Sequence, residues 1–184
     1  MPQDRTRKVV ITGVLGAISV LLGWTHWGFI PWVGGTSLTI MHVPVIIGAI
    51  LEGPLVGAVI GLIFGLFSML QAAIAPSGPG DLIFTNPLIA VLPRLFIGPV
   101  AWLVWTGLRR WPAVGLVISG IAGSLTNTIL VLGTIGLLGL FPWPVILSTG
   151  VANGLPEAGA AAVLTLAVVA AWKRIEIGRQ GAAL

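Results

Sequence analysis

The sequence contains no cysteine and no tyrosine, and charged residues make up 8% of its 184 positions. Without cysteine there is no disulfide, no haem thiolate and no thiolate zinc site. The two histidines, His26 and His42, lie in separate segments with no carboxylate beside either, so no metal site is expected. There is no Gly-Lys-Ser/Thr phosphate loop and no nucleophile–base–acid arrangement. The chain therefore cannot hydrolyse ATP by such a loop, and no cofactor is expected. A soluble domain is typically about 25% charged. So few charges cannot cover a soluble globule of this size, which excludes an ordinary soluble enzyme, a disordered chain and a nucleic-acid module.

What is present is apolar. Hydrophobic residues make up 57%, glycine fills 26 positions, and the mean hydropathy is +1.08. This is the composition of an all-α polytopic membrane protein, with residues 1–184 as a single membrane-embedded domain. The net charge of +4 and pI near 11.3 then report basic residues gathered on one side of a bilayer rather than an acidic partner. Arg5, Arg7 and Lys8 lead into an apolar stretch, as in a signal peptide. No polar mature region follows, so the stretch reads as a retained first helix.

A membrane-spanning helix needs about 20 largely apolar residues. The runs Val9–Leu51 and Trp111–Pro156 carry no Lys, Arg, Asp or Glu, and each is long enough for two spans. Split at their Gly/Pro/Trp-rich breaks, they predict a bundle of six transmembrane helices. These run over about Val9–Gly28, Ser37–Leu51, Leu55–Ala75, Pro87–Leu108, Ala113–Leu138 and Val145–Trp172. Pro44, Pro93 and Pro156 fall inside predicted spans, so kinks are expected there. An even number of spans places both termini in the cytoplasm, with Arg5, Arg7, Lys8, Arg109, Arg110, Lys173, Arg174 and Arg179 inside. The three outer loops then hold no Lys or Arg. Tryptophans fall near both boundaries, Trp24, Trp27, Trp32 and Trp143 outside and Trp102, Trp105, Trp111 and Trp172 inside. They form an aromatic belt, with ligand stacking as the alternative for an outer one.

Small residues recur four apart: Gly53, Gly57, Gly61 and Gly65; Gly13 and Ala17; and Gly150, Gly154, Ala158 and Ala162. Each stripe lets another backbone approach closely. Most serve packing inside the bundle, and helix one is the best candidate to receive a helix from another subunit.

His42, Arg94 and Glu157 fall within predicted spans. An Arg or Asp at a helix centre costs about 2.5–3.5 kcal/mol, so such groups face a cavity or a partner. At about 1.5 Å per residue, Arg94 and Asn153 lie roughly 10 and 12 Å below the outer face, and Asn127 roughly 21 Å from the inner one. His42 reads as shallow. Asn153 and Glu157 share a face at i, i+4, and Asn86 before Pro87 reads as a helix N-cap. The cluster describes an outward-facing pocket for a small solute over an apolar inner half, not a through-pore. An Arg94–Glu157 ion pair and a capped core histidine at His42 are the structural alternatives.

Three segments resemble a known family: TIMHVPVIIGAILEGPLVGAVIGLIFGLFS (Thr39–Ser68), LIFTNPLIAVLPRLFIG (Leu82–Gly98) and GSLTNTILVLG (Gly123–Gly133). They resemble the substrate-binding S components of energy-coupling factor (ECF) vitamin transporters, ABC-type importers, and among these the pantothenate-type members. The resemblance implies a non-enzymatic binding subunit of a prokaryotic plasma membrane. It would work with a transmembrane coupling (T) subunit and two cytoplasmic ATPases, and bind no nucleic acid. It also implies coupling-subunit contacts at Gly13 and Ala17, with Thr12 and Gly16 in a competing register. His42, Asn86, Arg94, Asn127, Asn153 and Glu157 fit the family's pocket-facing polar residues, with Arg94 the carboxylate anchor for an anion such as pantothenate. Riboflavin, cobalamin, folate or pyridoxine-like substrates are alternatives within the family. A small membrane enzyme using Arg94, Glu157 and His42 as acid–base groups, and a self-contained channel or carrier, are the alternatives outside it. No predicted loop is large enough for a polar active site, Asp81 is the one acidic residue of the outer loops, and no internal repeat of the carrier type is visible.

Overall fold

The computed structural model describes residues 2–31, 37–76 and 79–173. Trp32, Arg174 and Arg179 lie outside the described residues. The elements in order are α1 (Pro2–Trp24), strands β1 (Phe29–Pro31) and β2 (Ser37–Thr39), α2 (Val43–Glu52), α3 (Pro54–Ile74), a 3-10 segment (Pro79–Thr85), α4 (Pro87–Ala90), α5 (Leu92–Gly107), α6 (Pro112–Leu137) and α7 (Trp143–Lys173). The strands pair antiparallel, Phe29 opposite Thr39 and Pro31 opposite Ser37.

Proline marks where these helices begin. Each helix from α2 to α7 has proline at its first or second position: Pro44, Pro54, Pro87, Pro93, Pro112 and Pro144. Except at Pro93, the missing N–H there removes no helical bond, and the fixed φ suits the first turn. Pro44 and Pro93 were expected to kink helices from within. Pro44 instead starts α2, whereas the fourth predicted span is interrupted next to Pro93, at Val91, where it divides into α4 and α5. Pro156 does lie inside α7.

The largest departure is the second span. Helix over Ser37–Leu51 is not formed. Residues 37–39 are strand, and α2 has 10 residues, about 15 Å of rise and half of a roughly 30 Å hydrocarbon core. Five helical stretches are long and apolar enough to cross a membrane: Asp4–Trp24, Pro54–Ile74, Pro87–Gly107, Pro112–Leu137 and Trp143–Lys173. Every residue of α2 from Val43 to Ile50 is buried, as befits a helix apolar all round. Ile46, Ile60, Ile97 and Leu116, from four different helices, meet in the core around it.

Close backbone crossings hold the bundle. A Cβ at Gly57 would meet the Gly98 Cα at 2.8 Å, and one at Gly61 would run into the backbone carbonyl of Arg94. The α3 glycine stripe is therefore the seat of α4 and α5. Gly154 faces Thr128, Gly150 faces Leu132 and Gly120 faces Ala161 and Ala162, so the α7 stripe seats α6. Gly53 has φ +104, a conformation open to glycine, and turns the chain from α2 into α3. On α1 the stripes divide. Gly16 is buried against Ile63, Gly13 has no neighbour that a Cβ would touch, and Ala17 is exposed.

The basic residues gather at one end. Arg7 pairs with Glu52 at 2.7 Å, so α2 ends where α1 begins. Lys173 lies over the Trp105 ring at 5.1 Å and senses the charges of Arg109, Arg7 and Glu52. Trp105 is consequently buried, at 6% exposure, and does not belong to the belt. Trp24, Trp27, Trp111, Trp143 and Trp172 are exposed.

Candidate functional site

Arg94 is the centre of the polar cluster. It is buried, at 5% exposure, and Pro93 explains how it is held. Proline has no N–H to return to the carbonyl four residues earlier, which is that of Ile89. The Arg94 Nη1 donates to that freed carbonyl. The guanidinium carbon lies 5.3 Å from the ring centroids of both Phe64, on α3, and Phe84, in the 3-10 segment, within the range of cation–π attraction. Among the described residues its Nε has no hydrogen-bond partner. Among the described residues Arg94 makes no ion pair, so the Arg94–Glu157 pair considered from sequence is not formed.

His42 is fully buried, and among the described residues neither ring nitrogen has a partner. It precedes α2 and lies within electrostatic reach of Arg94. The expectation of a shallow His42 fails, because the chain descends as a hairpin before α2 starts. Counting rise per residue from the basic end of each helix, His42, Arg94, Asn127 and Glu157 lie roughly 15, 20, 22 and 24 Å away. Arg94, Asn127 and Glu157 thus lie at similar heights, and His42 lies roughly 5 Å nearer the basic end than Arg94.

Asn127 is buried, and its Oδ1 has no partner. It lies one turn beyond Gly123, whose Cβ position abuts Ile46 of α2. His42 is one turn beyond Ile46, so the two polar groups rise from the same helix contact. Asn86 is half-buried, and its Oδ1 accepts from the Leu88 N–H at 3.0 Å; that oxygen caps α4. Asn153 is half-buried, one turn from Glu157 on α7. Glu157 is buried, and its Oε1 accepts from the Thr39 N–H at 2.7 Å, while the Thr128 hydroxyl donates to Oε2 at 3.4 Å. The inner half is not wholly apolar either. Ser119 and Thr165 are fully buried there, with unpartnered hydroxyls.

The site thus offers a desolvated cation with donors to spare, a neutral-capable imidazole and an amide with a free acceptor. That set suits a small solute carrying a carboxylate together with hydroxyl or amide groups. Sequence reading missed Phe64, Phe84, Thr39 and Thr128. Phenylalanine and threonine are ordinary in apolar spans, and only their placement gives them a role. The Ile89–Pro93–Arg94 spacing was a legible signal for how Arg94 is anchored.

A family model for the substrate-specific component of ECF transporters matches residues 7–169. The chain belongs to this family. It is 30% identical to the pantothenic acid transporter PanT of Lactococcus lactis subsp. cremoris over 191 aligned residues, 93% of this chain and 96% of that protein. It is 33% identical to the pantothenate transporter PanT of Leuconostoc mesenteroides subsp. mesenteroides over 138 residues, 70% of this chain and 68% of the relative. This S component is therefore a transport protein rather than an enzyme, and with five long apolar helices it is a multi-pass membrane protein.

Proposed function

We propose that this S component binds pantothenate in an outward-facing pocket of a prokaryotic plasma membrane and delivers it inward with a coupling subunit and two ATPases. The observation that carries the substrate is Arg94: a buried guanidinium with no acidic partner among the described residues. A buried charge left unpaired is costly, and a ligand carboxylate supplies what it lacks. The names of the two relatives agree with this choice. His42, Asn127 and Asn153 orient the hydroxyl and amide groups of the substrate.

In this reading residues 1–184 act as one unit crossing the membrane six times, with both termini cytoplasmic. The second crossing is made by the hairpin and α2 together, which the Arg7–Glu52 pair supports by returning the chain to the end where it began. The coupling subunit docks on α1 at Gly13 and Ala17. Their outward placement supports that register, and Gly16, seated on Ile63, serves the bundle itself.

The test is isothermal titration of the purified protein with pantothenate, followed by Arg94→Ala. Truncating one partner of a buried charge pair costs about 2–5 kcal/mol, so at about 1.4 kcal/mol per decade the Kd should rise at least 25-fold. Pantothenol, which has an alcohol where pantothenate has its carboxylate, should bind wild-type protein far more weakly and lose little further in the variant. Wild-type affinity in Arg94→Ala, or no pantothenate binding by the unaltered protein, overturns the reading.

A further inference from the structure

We propose that Glu157 is a positioning residue that ties the β1–β2 hairpin to the α6–α7 pair, and that this tie sets the placement of His42 in the site. Glu157 is buried, and among the described residues it has no cationic partner. A carboxylate taken out of water needs strong donors, and its short bond is to the Thr39 backbone N–H at 2.7 Å. Thr39 is the last residue of β2, 118 positions away in sequence.

On its other side the segment is held by the bundle's first helix. The Ser19 hydroxyl of α1 donates to the Met41 carbonyl at 3.2 Å; the Ile40 N–H donates to the carbonyl of Gly28, just before β1, at 3.0 Å. Glu157 supplies the opposing tie from α7, with the Thr128 hydroxyl bracing its second oxygen. Three residues after Thr39 the chain reaches His42, so the tie also sets how His42 meets the Arg94 level. Among the described residues Glu157 and Arg94 form no ion pair, and Arg94 is left for an anion from outside. The hydrogen-bond tie is independent of which solute binds; its effect on binding rests on the pantothenate reading above.

Two conservative variants separate reach from charge. Glu157→Gln keeps the oxygen that accepts from Thr39 and removes the charge. Glu157→Asp keeps the charge and withdraws it by one methylene. Amide hydrogen exchange of the peptide covering residues 37–42, in the full-length detergent-purified protein without ligand, reads the tie directly. Pantothenate dissociation rates read its consequence. The expected result is exchange at least tenfold faster in Glu157→Asp and within threefold of wild type in Glu157→Gln, with dissociation rates following the same order. Unchanged exchange in Glu157→Asp overturns the tie. Loosening in Glu157→Gln as large as in Glu157→Asp overturns it too, because charge would then matter rather than reach. A rise in pantothenate affinity of tenfold or more in Glu157→Gln would mean that the carboxylate opposes the substrate anion directly, which also defeats the proposal. If wild-type protein binds no pantothenate, the substrate reading fails while the exchange experiment still decides the tie.

Discussion

Gly61→Ala is a small change with a large expected effect, because α3 and α5 touch backbone to backbone there. An added Cβ would run into the Arg94 carbonyl oxygen and lie 2.9 Å from its carbonyl carbon. Ordinary carbon contacts lie at about 3.5–4.0 Å, so α5 must retreat by on the order of an ångström. The obstacle is backbone and cannot rotate away. Overpacking of this kind costs about 1–3 kcal/mol, and at about 2–4 °C per kcal/mol for a chain of this size the melting temperature should fall by several degrees. The displaced residue is Arg94 itself, and binding sites tolerate shifts of about 0.5 Å. Pantothenate affinity should therefore drop about tenfold or more, beyond what instability alone produces. Gly159→Ala is the control: it lies in the same bundle, is exposed, and a Cβ there meets nothing within 4 Å. In a helix that exchange stabilises by about 0.5–1 kcal/mol. Thermal melting in detergent and pantothenate titration of both variants make the comparison. If Gly61→Ala melts and binds like wild type, the α3–α5 approach does not place Arg94.

Other outcomes follow from the same contacts. His42→Leu removes a buried group with two unpartnered nitrogens, a burden of about 1–3 kcal/mol. The ligand-free protein should melt higher while pantothenate binds more weakly, and a variant that loses stability would show His42 to be a structural residue. Asn86→Ala removes the α4 cap and should cost about 1 kcal/mol. Asn86→Asp should restore the melting temperature, with affinity within threefold of wild type in both. Replacing Gly13 and Ala17 together with leucine should leave pantothenate binding intact and abolish uptake by cells that supply the coupling subunit and ATPases. Sustained uptake would remove α1 from the docking surface.

Much of this protein was written in its composition and punctuation. The scarcity of charge required a membrane protein, and five of the predicted spans correspond to long apolar helices whose starts are marked by proline. Proline is legible because its effect is local: it removes an N–H and fixes φ wherever it stands. The same residue was misread at position 44, where a helix start and an internal kink look alike until the neighbouring turns are known. The hairpin at 29–39 was not legible. Three-residue strands exist through pairing and through Glu157, and both are contacts between segments distant in sequence.

The candidate site divides along the same line. The sequence by itself determined that Arg94, Glu157, His42, Asn127 and Asn153 would have to seek partners inside the bundle, because burying a polar or charged group unpartnered is costly in any apolar surrounding. It could not say which partners. Arg94 and Glu157 look like a pair by charge alone. Only the tertiary structure decided that Glu157 takes the Thr39 amide, and that Arg94 takes the Ile89 carbonyl and two phenylalanine rings. Hydrogen bonds and ring contacts of this kind depend on ångström-scale placement by the glycine crossings of α3 on α5 and of α6 on α7, and residue type alone does not carry that placement.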